Sequence, residues 1–269
     1  MADGIQLSTV MLCWNRISLS RQCLASYLRT ISVADELIIV NNGSTDGTRE
    51  WLDAIGHDAR ITRVVHRDDN APVAALNEAL ARCRGRYLHV MENDLIYLDG
   101  WDRYVLDRFR RLPDLGQLAV LRGPPSLLGP VHEGLVIVSR ANVGCASVFP
   151  REIFFQHGIR FESSVRGGYY DRDGPFSAKI RALGLLVAWP DRELAINVGH
   201  RREEFARDPD YYIRNYRLKL FTRARLRNEL RHLVRGRFAA SRQTRLLLRR
   251  LLKLYLLELE GRLGLRSSH

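Results

Sequence analysis

No run of about 18 apolar residues occurs in this chain of 269, so no membrane-spanning helix is expected. The opening segment, Met1 to Gln6, lacks the basic stretch and apolar core of an export signal, which makes the cytosol the expected compartment. Cysteine is scarce. Cys13, Cys23, Cys83 and Cys145 stand apart without C-x-x-C spacing, which argues against zinc or disulfide roles and for buried, reduced thiols. An acidic excess is missing too, because the formal net charge is +12. That basicity is confined to one end: from Arg217 onward there are 15 Lys/Arg against 3 Asp/Glu, while residues 1–216 carry 27 of each sign. There is no internal repeat. With 46% hydrophobic and 27% charged residues, the composition suits one large domain with an appendage.

Short β-branched apolar runs alternate with segments of helical period, the pattern of a mostly parallel sheet covered by helices. Leu7 to Cys13 reads as the first strand, followed by a helix capped by Ser18 and running to about Leu28. Glu36 to Val40 (ELIIV) is a buried strand that runs into breaker residues, Asn41 to Gly47. Further strands are expected at Ile61 to His66, Tyr87 to Met91, Val143 to Phe149, Leu185 to Trp189 and Leu194 to Val198. Helices are expected at Ala71 to Cys83 and Asp173 to Leu183. The Gly/Pro-rich stretch from Arg122 to Pro130 divides residues 1–121 from 122–215, and 216–269 forms the basic helical tail.

Two polar clusters fall at strand carboxyl ends, where ligands bind in open α/β sheets. Glu92-Asn93-Asp94 puts two carboxylates at the mouth of a buried strand, where they repel unless a cation sits beside them. Mg²⁺ or Mn²⁺ shared with a diphosphate would meet that need. The bland alternative is an exposed turn. Asn41-Asn42-Gly43-Ser44-Thr45-Asp46-Gly47-Thr48 follows a buried strand and precedes a helix, so its amides can approach a nucleoside. Asp46 or Thr48 could equally cap that helix.

VNNGSTDGT after ELII, then RGRYLHVMENDLIYLDGW, resembles the family 2 glycosyltransferases, inverting enzymes of the GT-A fold, and the likeness covers about Ser8 to His200. The resemblance implies a nucleotide-contacting segment at Cys13-Trp14-Asn15-Arg16 and a base-seating loop with Asn41, Asn42, Ser44 and Asp46, where Asn41 replaces the common aspartate. It places a further donor contact at Asn70, Glu92 and Asn93 near the ribose, and Asp94 on a divalent metal. His200 matches the late histidine that reaches the metal or diphosphate. Trp101, closing the second string, and the Gly144 to Phe154 segment belong to the acceptor side. Asp173 then aligns with the catalytic base, with Arg172 in the position of a common glutamate and Asp171 as competitor; on spacing alone Asp173 reads equally as a helix N-cap.

The expected activity is metal-dependent, inverting transfer of a sugar from a UDP-, dTDP- or GDP-sugar to a hydroxyl on a glycan or lipid-linked glycan. Two competitors are a nucleotidyltransferase, which usually carries a Gly-rich basic loop after its first strand, and a non-catalytic protein with a degenerate transferase domain. In the tail, leucines recur at helical spacing between arginines from Leu226 to Leu263. Such a helix can lie on an anionic membrane surface, or pack its leucines on the catalytic domain or a second subunit. Nucleic acid is not an expected partner, since no base-reading motif accompanies the charge.

Overall fold

The computed structural model of the chain describes residues 4–123, 131–139, 143–144, 146–162 and 173–199. These residues all belong to one compact unit. The first strand, β1 (Leu7–Cys13), is flanked by β2 (Asp35–Asn42) and β4 (Tyr87–Glu92), both parallel to it, and β3 (Arg63–Arg67) lies parallel beyond β2. Between them run α1 (Ile17–Thr30), α2 (Thr48–Ile55) and α3 (Pro72–Leu80). The chain continues through β5 (Leu95–Tyr97), α4 (Trp101–Arg111), β6 (Leu115–Ala119), the short strands β7 (Val131–His132) and β8 (Leu135–Ile137), β9 (Ser147–Pro150) and α5 (Arg151–Phe155). It ends in α6 (Asp173–Ala182), β10 (Leu186–Pro190) and β11 (Ala195–Asn197).

Among the described residues, nine strands form one sheet in the order β3-β2-β1-β4-β9-β6-β10-β8-β7. The left half is parallel, as the buried apolar runs predict, whereas β9 is antiparallel to both β4 and β6, and β8 to β10. Alternation along the strands feeds two cores. Met11, Leu37 and Ile39 face α1, α2 and α4, while Val10, Ile38 and Val40 face α3, α5 and α6. The resulting three-layer arrangement, a mixed but largely parallel sheet between helices, is the expected GT-A type of α/β fold. Cys13, Cys23 and Cys83 are buried free thiols. Among the described residues no helix is long and apolar enough to cross a membrane.

Two connections position the functional edge. β11 pairs antiparallel with β5 in a separate two-stranded ladder, which brings the end of the described chain beside the turn after β4. β6 runs parallel to β10, and the tight turn at Leu183 and Gly184 makes α6 antiparallel to β10. The amino end of α6 therefore faces the same carboxyl edge of the sheet as the end of β4.

Candidate active site

At the exit of β1 the backbone of Asn15 and Arg16 is left-handed, with φ of 52° and 58°, a conformation that non-glycine residues adopt rarely and at a cost. The turn is held from the neighbouring loop. The Asn15 amide donates to Ser44 Oγ (2.9 Å), and the Thr45 amide donates to Asn15 Oδ1 (2.8 Å). Asp46 joins two helix starts, since its Oδ2 accepts from the Ile17 amide (2.9 Å) and its Oδ1 from Thr48 Oγ1 (2.6 Å). Carboxylates are favoured at such amino ends. Ser18 is thus not the cap of α1. Arg16 holds the N-cap position, and the acceptor arrives from another loop. Trp14 is half-buried at the same exit.

Two expected nucleotide contacts are corrected. Asn41 and Asn42 are fully buried, and their amides are spent inside the loop. The Asn41 Oδ1 accepts from the Ser44 amide (3.1 Å), and its Nδ2 meets His66 Nδ1 (3.2 Å), whose Nε2 lies 2.9 Å from Asp53. Asn42 donates to Asn70 Oδ1 (2.6 Å) and accepts from the Ala71 amide (3.2 Å). Both shape the loop and offer no free face to a base. Asn70, Ser44 and Asp46 keep surface exposure. Gly43 shows why the loop is narrow: its φ is 73°, and a Cβ there would lie 2.8 Å from the Asp69 carbonyl carbon.

The acidic turn lies at the centre of the edge. Glu92 ends β4 half-buried, and Asn93 and Asp94 retain only 6% and 5% of their exposure. Asn93 donates to the Asn15 carbonyl (3.1 Å) and to Ser20 Oγ (2.8 Å), so it fastens the acidic turn to the exit of β1. Arg16 donates to Asn93 Oδ1 (3.0 Å) and pairs with Asp94 Oδ2 (3.1 Å). From the far end of the chain, the Val198 amide donates to the Asp94 carbonyl (2.9 Å), and Asn197 Nδ2 approaches Asp94 Oδ1 (3.4 Å). Gly199 packs on the pair so closely that a Cβ would fall 2.1 Å from Asp94 Oδ2 and 2.7 Å from an Arg16 nitrogen. Sequence reading missed Asn197 and Gly199; their only signal is a polar-apolar-Gly step after an edge strand. Burial pushes the Cys13 thiol up to about 12, so this cysteine beside the site is no nucleophile.

Hard divalent ions take oxygen ligands and usually share them with substrate phosphates. Among the described residues no three His, Cys, Asp or Glu side chains come together as a cation cage. Asp94 and Glu92 do supply two carboxylates within one turn, and each Asp94 oxygen keeps acceptor capacity beyond its one neighbour. This donor set fits a cation completed by a diphosphate, with Asp94 as its protein ligand.

On the acceptor side, Trp101 is corrected. It is fully buried against Tyr27, His89 and Tyr97, at ring separations of 5.9, 5.0 and 4.7 Å, and has no face for a sugar. Gly144, with φ of 80°, precedes β9. Asp173 opens α6 and is half-buried at the carboxyl edge. Asp171, Arg172 and His200 lie outside the described residues, as does the basic tail.

Residues 8–132 match the family model described as glycosyl transferase family 2. The chain carries a family 2 glycosyltransferase domain. A poly-β-1,6-N-acetyl-D-glucosamine synthase of Staphylococcus epidermidis is 25% identical over 142 residues, 52% of this chain and 34% of the relative. The chain thus spans about a third of that relative's length. Two solved structures share the fold of the glycosyltransferase domain. The mannosyltransferase PcManGT of Pyrobaculum calidifontis, in complex with GDP-Man and Mn²⁺, superposes with a TM-score of 0.58 at 17% identity, covering 78% of this chain and 63% of its own. S. aureus TarS 1-349, in complex with UDP-GlcNAc, gives 0.56 at 13% identity, covering 89% and 74%.

Proposed function

We propose that the protein transfers a sugar from a nucleotide-sugar donor to a hydroxyl acceptor, with inversion and with the aid of a divalent cation. The observation that carries this reading is the meeting of Arg16, Asn93, Asp94, Asn197 and Gly199 at the carboxyl edge toward which the amino end of α6, with Asp173, also points. Relatives and neighbours support the class of donor: the structures that share the fold carry GDP-Man and UDP-GlcNAc. The name of the poly-β-1,6-N-acetyl-D-glucosamine synthase supports a sugar polymer as product; in this reading the acceptor is a glycan or lipid-linked glycan of cell-surface polysaccharide synthesis. In this reading residues 1–215 are the catalytic domain and 216–269 an accessory tail.

The left-handed turn at Asn15 and Arg16 and the loop around Ser44 would receive the nucleotide, with Trp14 and Asn70 at their margins and Glu92 and Asn93 toward the ribose. Asp94 would hold Mg²⁺ or Mn²⁺, with His200 as a second ligand. When bound, that cation supplies charge neutralisation for the departing diphosphate. Asp173 would accept the proton of the attacking hydroxyl, a contribution of about 10²–10⁴-fold.

A panel of UDP-, dTDP- and GDP-sugars assayed with Mn²⁺ tests the donor and metal together. Asp94→Ala should abolish metal-dependent turnover. Asp173→Asn should lose at least about 10²-fold in transfer while binding donor normally. A wild-type rate in either variant removes that residue from the mechanism.

A further inference from the structure

The pair between Arg16 and Asp94 raises a question about order. Both side chains are nearly closed to water, at 11% and 7% exposure, and a carboxylate so buried needs a positive partner. That partner is the guanidinium of Arg16, held in place by Asn93 Oδ1 and roofed by Gly199. A divalent cation on Asp94 would stand against Arg16, because two positive groups would then share one carboxylate. A diphosphate resolves the conflict. Its oxygens offer the guanidinium a planar, charge-assisted alternative, the geometry for which arginine is suited.

We propose that Arg16 is a positioning residue that occupies the cation's place on Asp94 until donor binds, so that cation and diphosphate enter the site as a coupled pair. This rests on Asp94 being the metal ligand. Arg16 stands at the start of α1, one residue beyond Asn15, on the turn assigned to the nucleotide. A small rotation of its side chain can exchange carboxylate for phosphate without moving the helix. Asn93 stays fixed throughout, since its own amide is tied to the Asn15 carbonyl and to Ser20. By linkage, the factor by which donor tightens cation binding equals the factor by which cation tightens donor binding. The device would keep the site from filling with a free cation, and it would leave Asp94 neutralised in every state.

The test is a titration of Mn²⁺ into the 269-residue chain, followed by the loss of the free-ion electron paramagnetic resonance signal, alone and with saturating UDP, GDP or dTDP. Arg16→Gln, which keeps a donor near Asp94, should bind Mn²⁺ without nucleotide at least about 10-fold more tightly than wild type, a change within the usual range of coupling between sites. Adding Asp94→Asn to that variant should erase the gain. Equal Mn²⁺ affinity of wild type and Arg16→Gln without nucleotide overturns the proposal while leaving a nucleotide-dependent metal site intact. Absence of Mn²⁺ binding in both proteins with all three diphosphates overturns the metal reading and this proposal together. A second measurement needs no neutral variant. In wild type labelled with ¹⁵N-arginine, the guanidinium signal that Arg16→Lys deletes should shift on addition of Mg²⁺ with the bound diphosphate and stay in place with Mg²⁺ alone. A shift with Mg²⁺ alone overturns the exchange.

Discussion

At the scale of single residues, the edge of this domain is built by side chains whose partners are already inside the protein. Gly199 is the sharpest case. Any side chain there collides with Asp94 and Arg16, so Gly199→Ala should lower donor turnover at least about 10-fold through displacement of the carboxylate, within the loss expected for a misplacement of about 1 Å. Steady-state kinetics with Mn²⁺ would register it, and an unchanged rate would show that Asp94 tolerates the shift. His89 makes a second prediction, on stability. It is fully buried between Thr9 Oγ1 (3.2 Å) and Tyr97 OH (3.0 Å), and burial pushes its pKa from the ordinary 6.5 down to about 3. Above pH 6.5 the ring is neutral in both folded and unfolded chains. Below it the unfolded chain takes up a proton that the folded one refuses, so stability falls as pH falls toward 3, by up to about 1.4 kcal/mol per unit. Urea unfolding at pH 7.5 and pH 5 should therefore differ by about 2 kcal/mol more in wild type than in His89→Gln. Equal slopes would count against a neutral buried His89.

At the scale of elements, the sequence was readable where one element carries its own signal. β1, β2 and β4 are short runs rich in apolar residues, and Glu92-Asn93-Asp94 announces the edge because it breaks such a run with two acids and an amide before β5 begins. Other elements hide. β6 contains Gly116 and a buried Gln117, which bonds to Ser147 and Ser177, so its apolar run is broken by a polar residue satisfied only in the fold. α4 shows no apolar run because charged residues dominate it, with Arg103, Arg110 and Arg111 exposed on its outer face and Trp101, Val105 and Phe109 turned inward. Trp101 was assigned to the acceptor from its place at the end of a family-like string, yet it anchors α4 to β4 and β5. Trp101→Ala should accordingly cost about 3–5 kcal/mol of stability. A variant of wild-type melting temperature with a raised acceptor KM would restore the acceptor assignment. The meaning of Asn41 and Asn42 was hidden for a related reason: a buried amide and a ligand-binding amide look alike until the partners are known.

At the scale of the whole molecule, charge and chemistry are separated along the chain. Residues 1–216 are formally neutral, and the entire excess of +12 lies beyond them. If the tail serves a membrane-bound acceptor, the full chain should co-sediment with vesicles rich in anionic lipid, and deletion of residues 217–269 should abolish this, since each Lys/Arg near such a surface contributes about 1 kcal/mol. Sedimentation unchanged by the deletion would leave the leucine face to protein packing. The ladder of β11 on β5 has a different implication, for the order of folding. Asp94 and Asn197 are 103 residues apart in sequence, so the contact closes a long loop and belongs among the slowest to form. A nascent chain would display its nucleotide-side loops while the carboxylate still lay open, and the site would be sealed only when the last described strand had left the ribosome and docked. Competence would then be granted late in synthesis, by the arrival of three residues that the first half of the protein cannot supply.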